Sequence, residues 1–224
     1  MKLKTSLVSV AILACVAGSA FAQQGKGSNL GDPAKATASS TAVESLATAA
    51  SLVRYGDANK DALSLITAAR IMNQVGASDS KAEAVSTSPA EKKADKAAVG
   101  AILERAKQYA GSRADLVALA NDVASSSARG ATGGPGRRTT VVARGTTDVY
   151  RVTFRGGEPA MVLVSGDGDS DLDLFVLDEN GNQVCRDDDA SDDMVCRWTP
   201  RWTGQFTIRV KNLGMANRYT IVHN

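Results

Sequence analysis

Histidine is almost absent from this chain, which carries only His223. Because that residue lies next to the C-terminus, where chain ends tend to fray, a Ser-His-Asp or Cys-His arrangement would lack firm support. The sequence also lacks a Walker loop, a nucleophile elbow and a His-rich metal motif. These gaps predict a protein without enzymatic activity. The alternative left open is an unfamiliar hydrolase that depends on carboxylates.

An excess of charge of one sign is also missing, and so are long apolar runs beyond the N-terminus. The chain has 26 Lys and Arg against 24 Asp and Glu, and removal of residues 1–22 would leave 24 of each. Nucleic-acid binding needs a concentrated basic surface, which a neutral chain does not offer. No run after residue 22 approaches the roughly 18 apolar residues of a membrane span. The composition therefore predicts no nucleic-acid partner and no membrane span.

The first 22 residues have the features of an export signal. Lys2 and Lys4 precede an apolar run at residues 7–18, and a small-x-small pattern follows at residues 20–22. Cleavage after residue 22 predicts a periplasmic or extracellular protein. A lipoprotein acylated at Cys15 is disfavoured, because leucine stands where that signal requires a small residue.

Few cysteines remain after this cleavage, only Cys185 and Cys196. An oxidising compartment favours their pairing, and both flank a short acidic segment. We predict a Cys185–Cys196 disulfide that either staples a hairpin or holds a cation site closed. The bond would close a short loop and contribute ~2 to 3 kcal/mol to stability.

Composition divides the rest of the chain into four parts. Residues 23–33 lack periodicity, which predicts a disordered leader. Residues 34–128 are Ala-rich with apolar spacings of three and four, which predicts α-helical hairpins loosely similar to tetratricopeptide repeats. Residues 129–136 are predicted to form a Gly-rich linker. In residues 137–224 the apolar period changes to two, which is typical of β-strands.

The helical region is predicted to contain four helices. The first two are separated by a break at Tyr55, Gly56 and Asp57, while capping boxes at residues 88–91 and 112–115 open the third and fourth. Ala-rich faces bury little area per residue. A helical spacer or oligomerisation element is therefore favoured over a peptide-binding groove.

The C-terminal region is predicted to be an all-β, jelly-roll-like sandwich. Gly, Asn, Asp or Pro separates most of its short strands, and the Asn180-Gly181 pair predicts a hairpin with a type I′ turn. The fold class is therefore α plus β in separate regions. The predicted strands are residues 140–144, 148–154, 160–165, 171–177, 183–186, 194–198, 205–211 and 218–222.

Several of these segments resemble a known family. They are Tyr-x-Val-x-Phe at 150–154, Gly-Asp-Gly-Asp-x-Asp-Leu-Asp-Leu-Phe-Val at 166–176, Asn-Gly at 180–181, Gly-Gln-Phe-Thr-Ile-Arg-Val at 204–210 and Tyr-Thr-Ile at 219–221. Together they resemble the bacterial pre-peptidase C-terminal domain over residues 137–224. The resemblance implies a secreted jelly-roll-like sandwich of the kind appended to extracellular peptidases, some of whose relatives bind calcium or polymeric substrates. Here an Ala-rich helical region, rather than a peptidase, precedes the domain.

Acidic side chains are concentrated between residues 165 and 193, where eleven of them face one basic residue, Arg186. Clustered carboxylates suit calcium, but an EF-hand is excluded because Leu172 stands where that loop needs glycine. The alternative is a solvated turn that discourages edge pairing of strands, which is the usual role of clustered charge and is favoured here. The candidate calcium ligands are Asp167, Asp169, Asp187, Asp188, Asp189, Asp192 and Asp193.

Two tryptophans mark a second candidate site. Trp198 and Trp202 bracket a short turn beside Arg197 and Arg201, and together they would form a ligand surface for a sugar or a peptide. The favoured alternative is that a Trp at a strand end belongs to the core.

The sequence as a whole predicts an exported, non-catalytic binding or structural module that recognises an extracellular or envelope protein or glycan, with calcium as the candidate cofactor. An accessory role in a secreted peptidase system is the alternative.

Overall fold

Four helices and ten strands make up the part of the chain that the computed structural model describes, residues 27–87, 98–126 and 134–224. The helices are α1 (Ala38–Asn59), α2 (Ala62–Val75), α3 (Val99–Ala110) and α4 (Ala114–Ser125). The strands are β1 (Ser78–Asp79), β2 (Glu83–Ser86), β3 (Gly136–Val142), β4 (Thr147–Phe154), β5 (Ala160–Ser165), β6 (Leu172–Leu177), β7 (Gln183–Asp187), β8 (Asp193–Trp198), β9 (Gly204–Asn212) and β10 (Asn217–His223). The predicted export signal lies outside these residues. Within them, no helix is long and apolar enough to cross a membrane.

The strands form two five-stranded sheets that share one core. Sheet A has the order β1-β3-β10-β5-β8, and sheet B has the order β2-β4-β9-β6-β7. From β3 to β10 the chain alternates between the sheets except at the β6–β7 hairpin, which is the connectivity of a jelly roll. All eight strands predicted from the sequence occur, with ends displaced by up to four residues. The predicted fold class, helical hairpins followed by a jelly-roll-like sandwich, is confirmed.

The two-residue period of the strands decides which side chains form the core. In β9, Phe206, Ile208 and Val210 are fully buried, whereas Gln205 and Arg209 point outward and are exposed. The same alternation runs through β4. Each sheet therefore has an apolar inner face. Whether the side chains of its outer face are buried depends on the elements that cover that face.

Helix α1 covers the outer face of sheet A. As a consequence, β5 is buried on both faces from Ala160 to Val164. Helices α2, α3 and α4 are held together by a separate apolar cluster that includes Leu65 and Ile102. The helices thus form a third layer on one side of the sandwich. The contact between α1 and the sheet consists of Val43, Leu46 and Ala47 against Met161, Leu163 and Val222.

The segment between α2 and α3 contributes a strand to each sheet. Strand β1 pairs in parallel with β3, with Ser78 opposite Gly136, and β2 pairs antiparallel with β4, with Ala84 opposite Tyr150. Residues 34–128 were predicted to form helices alone. Strands of two and four residues are too short to show a two-residue period, so neither was foreseen. Residues 129–133 of the predicted linker lie outside the described residues.

The predicted break between the first two helices is wrong. Helix α1 continues through Gly56 because that residue packs against Leu65 of α2, and an added Cβ would lie only 2.7 Å from the Leu65 side chain. The chain turns instead at Lys60, which has a φ of 53°. Asp61 then caps α2 by accepting a hydrogen bond from the backbone N–H of Leu63 at 3.1 Å.

The capping box predicted at residues 112–115 is also wrong. Arg113 occupies the N-cap of α4 without a side-chain cap, and the Asp115 carboxylate binds its guanidinium at 2.7 and 2.9 Å. The ion pair thus takes the carboxylate that the box required. The box predicted at residues 88–91 lies outside the described residues.

The turn between β6 and β7 differs from the predicted type I′. The N–H of Gly181 donates to the carbonyl of Asp178 at 3.0 Å, and φ is positive at Gly181 (84°) but not at Asn180. This is a type I turn followed by a left-handed glycine. The Asp178 side chain fixes it by accepting hydrogen bonds from the N–H groups of Asn180 and Asn182 at 2.9 and 2.8 Å.

Residues 27–33 were predicted to belong to a disordered leader, but they are ordered and pack along the sandwich. Asn29 is fully buried; its N–H donates to Asp178 at 2.8 Å, and its side-chain oxygen accepts from the N–H of Trp202 at 3.0 Å. Gly31 donates to the carbonyl of Thr199 at 2.7 Å. These bonds order a segment whose composition carries no periodic signal. Residues 23–26 lie outside the described residues.

Candidate functional site

The carboxylates of the loop between β7 and β8 bind separate partners. Asp187 accepts from the N–H of Val195 at 2.8 Å, and Asp188 pairs with Arg186 at 2.6 Å. Asp189 accepts from the hydroxyl of Ser191 at 2.6 Å. Each carboxylate therefore fixes its own part of the loop.

Two of the remaining candidate calcium ligands, Asp167 and Asp192, are buried and bind donors outside this loop. Asp192 is buried and accepts from the N–H of Gly168 at 2.6 Å and from the Asn217 amide at 2.9 Å. Asp167 is buried and accepts from the N–H of Arg218, whereas Asp169 is exposed.

The described residues contain no group of three or more His, Cys, Asp or Glu side chains placed to hold a metal ion. Among these residues the acidic tract thus does not present one ligand set. Calcium binding stays a prediction, which a calorimetric titration of the protein with calcium tests.

Asp193 links the sandwich to the helical layer. Its buried carboxylate lies 3.1 Å from Nε of Arg54 on α1. Burial raises the pKa of Asp193 to about 6; the negative charges of Asp192 and Asp189 act in the same direction, while Ser165 and Arg54 oppose it. A raised pKa means that the folded state binds this proton more tightly than the unfolded chain. The contribution to stability is therefore complete below about pH 4 and lost as the pH rises through about 6.

We expect Asp193→Asn to remove this pH dependence. Relative to wild type, the free energy of unfolding of the variant should rise by roughly 2 to 3 kcal/mol between pH 4 and pH 7.5, since two pKa units correspond to about that energy. Urea denaturation at a series of pH values measures it. Arg54→Gln is the matched control: it removes the charge that holds the pKa down, so it should steepen the profile. A constant difference between Asp193→Asn and wild type across this range would contradict the assignment.

The predicted disulfide between Cys185 and Cys196 is confirmed, with Cα atoms 5.8 Å apart. It does not staple a hairpin, however. Cys185 lies on β7, an edge of sheet B, and Cys196 on β8, an edge of sheet A. The bond joins the two sheets along one side of the sandwich.

The predicted ligand surface around the tryptophans is not one surface. Trp198 belongs to the core, with its ring centroid 4.8 Å from that of Phe154. Arg197 forms a bidentate ion pair with Glu44 of α1 at 2.7 and 2.9 Å. Arg197, Arg201 and Trp202 remain at least partly accessible, and the indole N–H of Trp202 donates to Glu179.

His223 is fixed by strand pairing, although it lies next to the C-terminus. It lies in β10, which pairs with β3 and β5 up to this residue, and its Nε2 is 2.8 Å from the hydroxyl of Ser80. Burial lowers the pKa of His223. The other ring nitrogen is 3.5 Å from the main-chain oxygen of Asn224, and no hydrogen bond joins His223 to an Asp or Glu side chain in the described residues. The pair therefore lacks the third member of a catalytic triad.

The outer face of sheet B is open, in contrast to that of sheet A. None of the elements that the structure describes buries its central outward side chains. On β4 and β9, Arg151, Gln205, Arg209 and Lys211 are exposed, and Thr207 between them is partly exposed.

A shallow groove of about 500 Å³ lies on this open face. Its floor is formed by strand residues, and its end is formed by the β6–β7 turn. The lining residues are Val149, Arg151, Leu177, Asp178, Glu179, Gly181, Gln205, Thr207 and Arg209. A larger cavity of about 740 Å³ lies between the helices and sheet A, so it is space between two layers rather than a groove on one face.

The two ends of the groove differ in charge. Arg151 and Arg209 stand over the strands. At the turn, burial acts to raise the pKa values of Asp178 and Glu179, but hydrogen bonds outweigh it and both pKa values lie below their ordinary range. For Glu179 the strongest of these bonds comes from Trp202. The groove therefore has a cationic floor and an anionic end at neutral pH.

No sequence motif marks this site, so it was not predicted. The signal was present in the alternation of β4 and β9, whose outward positions carry arginine, threonine and glutamine. The candidate calcium ligands Asp167 and Asp169 precede β6, whereas the groove lies at the other end of this strand.

Comparison with known proteins identifies no family. No family model and no curated protein matches the chain. The structure is similar to PliG, a periplasmic lysozyme inhibitor of g-type lysozyme from Aeromonas hydrophila, with 14% identity, a TM-score of 0.32 and coverage of 43% of this chain and 90% of that one. It is also similar to TmCBM61, solved in complex with beta-1,4-galactotriose, with 15% identity and a TM-score of 0.25. This second match covers 38% of the chain and 65% of that protein. Similarity at this level assigns neither a ligand nor an activity.

Proposed function

We propose that this protein is an exported, non-catalytic binding module that recognises an extracellular or envelope glycan or protein through the groove on sheet B. One observation carries the proposal: helix α1 covers the outer face of sheet A, while the outer face of sheet B is left open and carries a groove. A sheet face with exposed arginine, glutamine and threonine offers donors and acceptors for a ligand.

The chemistry of the described residues supports binding over catalysis. The single histidine bonds a serine without a carboxylate behind it, and the carboxylates of the acidic tract are turned to separate local donors. A general acid and base pair needs two such groups facing one open cleft. The predicted export signal at residues 1–22 supports a binding event outside the cytoplasm.

The proposal predicts that filling the groove abolishes ligand capture. Thr207 lies at its centre on β9 and is opposite Arg151 and Leu177, so Thr207→Tyr should block it while a strand position tolerates tyrosine. The immobilised mature protein is incubated with envelope extract and with a glycan array, and bound material is quantified. We expect at least a tenfold loss relative to wild type, which corresponds to about 1.4 kcal/mol.

Leu213→Tyr is the control, because Leu213 is exposed in the loop after β9 and does not line the groove. It should retain all ligands that the wild type binds. Equal capture by Thr207→Tyr and wild type would overturn the groove as the binding site.

A further inference from the structure

We infer that the ligand of the sheet B groove is an acidic polysaccharide, a glycan chain whose sugars carry carboxylates. The inference rests on the proposed function and adds the chemical class of its ligand. Four cationic side chains lie on the outer face of this sheet, and they differ in whether a carboxylate pairs with them.

Two of these cations have ion-pair partners and two do not. Lys211 lies 3.6 Å from Asp173 on the neighbouring strand, and Arg186 lies 2.6 Å from Asp188. Arg151 and Arg209 have no ion pair to any residue within 27–87, 98–126 or 134–224, and both line the groove. The open cations are thus the ones that a ligand in the groove meets.

The strand register fixes the spacing of the two arginines. Arg209 lies opposite Val149 and Arg151 lies opposite Thr207, so the two are diagonal neighbours on adjacent strands. Such neighbours are roughly 7 to 8 Å apart. Each guanidinium presents a planar fork of N–H donors that matches a carboxylate in two parallel hydrogen bonds. The floor therefore offers two carboxylate sites along one extended ligand.

The end of the groove at the β6–β7 turn favours a ligand that carries neutral polar groups as well as negative charge. Glu179 is exposed and ionised there, so a uniformly anionic chain would meet like charge. Asp178 is buried behind it, and both of its carboxylate oxygens already accept hydrogen bonds from protein donors. Sugar hydroxyl groups donate hydrogen bonds to carboxylates, and they also pair with the amide of Gln205 and the hydroxyl of Thr207. An acidic glycan supplies both kinds of group in one molecule.

The lining also argues against a protein as the partner. The core of a protein interface is typically rich in aromatic residues and methionine and poor in charge. The groove has the opposite composition, with four charged residues in its lining and only Val149 and Leu177 as large apolar residues. A ligand recognised by hydrogen bonds and charge fits it better than an apolar anchor does.

Calorimetric titration of the mature protein with polygalacturonate tests this inference. The matched ligand is the same polymer with its carboxylates methyl-esterified, which keeps the sugar chain and removes the charge. We expect binding to polygalacturonate and at least a tenfold weaker affinity for the ester. Because exposed charges are screened by salt, binding should also weaken between about 50 mM and about 500 mM sodium chloride.

The variants isolate the two arginines. Arg151→Gln combined with Arg209→Gln should lower the affinity for polygalacturonate at least tenfold without changing the melting temperature. Arg144→Gln, at an exposed turn position outside the groove, should bind like wild type.

The outcomes separate this inference from the proposed function. Equal affinity for both polymers, or no binding to either, would overturn the acidic ligand, and the Thr207→Tyr capture experiment would still decide whether the groove binds. Equal binding of poly-L-glutamate would show that charge without sugar suffices and would likewise overturn it. Unchanged affinity of the double arginine variant would show that Arg151 and Arg209 do not bind the ligand.

Discussion

Tyr219→Phe is expected to lower the free energy of unfolding by about 2 to 4 kcal/mol, because it removes a donor from a buried carboxylate. The hydroxyl of Tyr219 donates to Asp148 at 2.8 Å and lies 2.6 Å from the hydroxyl of Tyr150. At most 1% of any of these three residues is exposed. Burial raises the pKa of Tyr150 to about 12 and also raises that of Tyr219, so both hydroxyls keep their protons and remain donors.

Urea denaturation at neutral pH measures this effect, and two further variants interpret it. Tyr55→Phe changes an exposed tyrosine and should leave stability unchanged. Asp148→Asn in the Tyr219→Phe background removes the buried charge, so the cost of the two substitutions together should fall short of the sum of their separate costs. A Tyr219→Phe variant as stable as wild type would show that the network contributes nothing to folding.

Loss of the disulfide is the second large effect. Cys185→Ala with Cys196→Ala should lower the free energy of unfolding by about 3 kcal/mol, since the bond restricts the unfolded chain. Its place adds to the effect, because it joins edge strands of two different sheets that share no hydrogen-bond ladder. Cys196 is fully buried in the core, so alanine is preferable to serine, whose hydroxyl would need a partner there.

A reducing agent provides the control for this prediction. It should lower the melting temperature of wild type to that of the double alanine variant and leave the variant unchanged. A wild-type protein that is insensitive to complete reduction would contradict a stabilising role for the bond.

The strands were largely predictable because their apolar residues recur every second position and glycine or asparagine separates them. The helix boundaries were less so, since they depend on distant contacts. Gly56 was predicted to break a helix, yet it allows α1 and α2 to approach closely at Leu65. An Ala-rich sequence reveals the helical period, but it does not indicate which face of a helix packs against its neighbour.

The candidate site was harder to predict for a related reason. The acidic tract is conspicuous in sequence, but its roles depend on backbone N–H groups that only the fold brings near, such as Gly168 for Asp192. For Trp198 the favoured prediction, a place in the core, is confirmed. The groove depends on the strand register, which makes Arg151 and Arg209 diagonal neighbours on a face that the helices leave open.

The two strands contributed by the segment between α2 and α3 constrain the order in which the protein acquires its structure. Strands β1 and β2 leave the ribosome early but pair with β3 and β4, more than fifty residues later in the sequence. Contacts of such long range are slow to form, because the loop between the partners must close first. The N-terminal half therefore holds two unsatisfied strands until the jelly roll has been synthesised. This delay suits the proposed export of the protein, because a chain that has not yet folded can pass through a translocation channel.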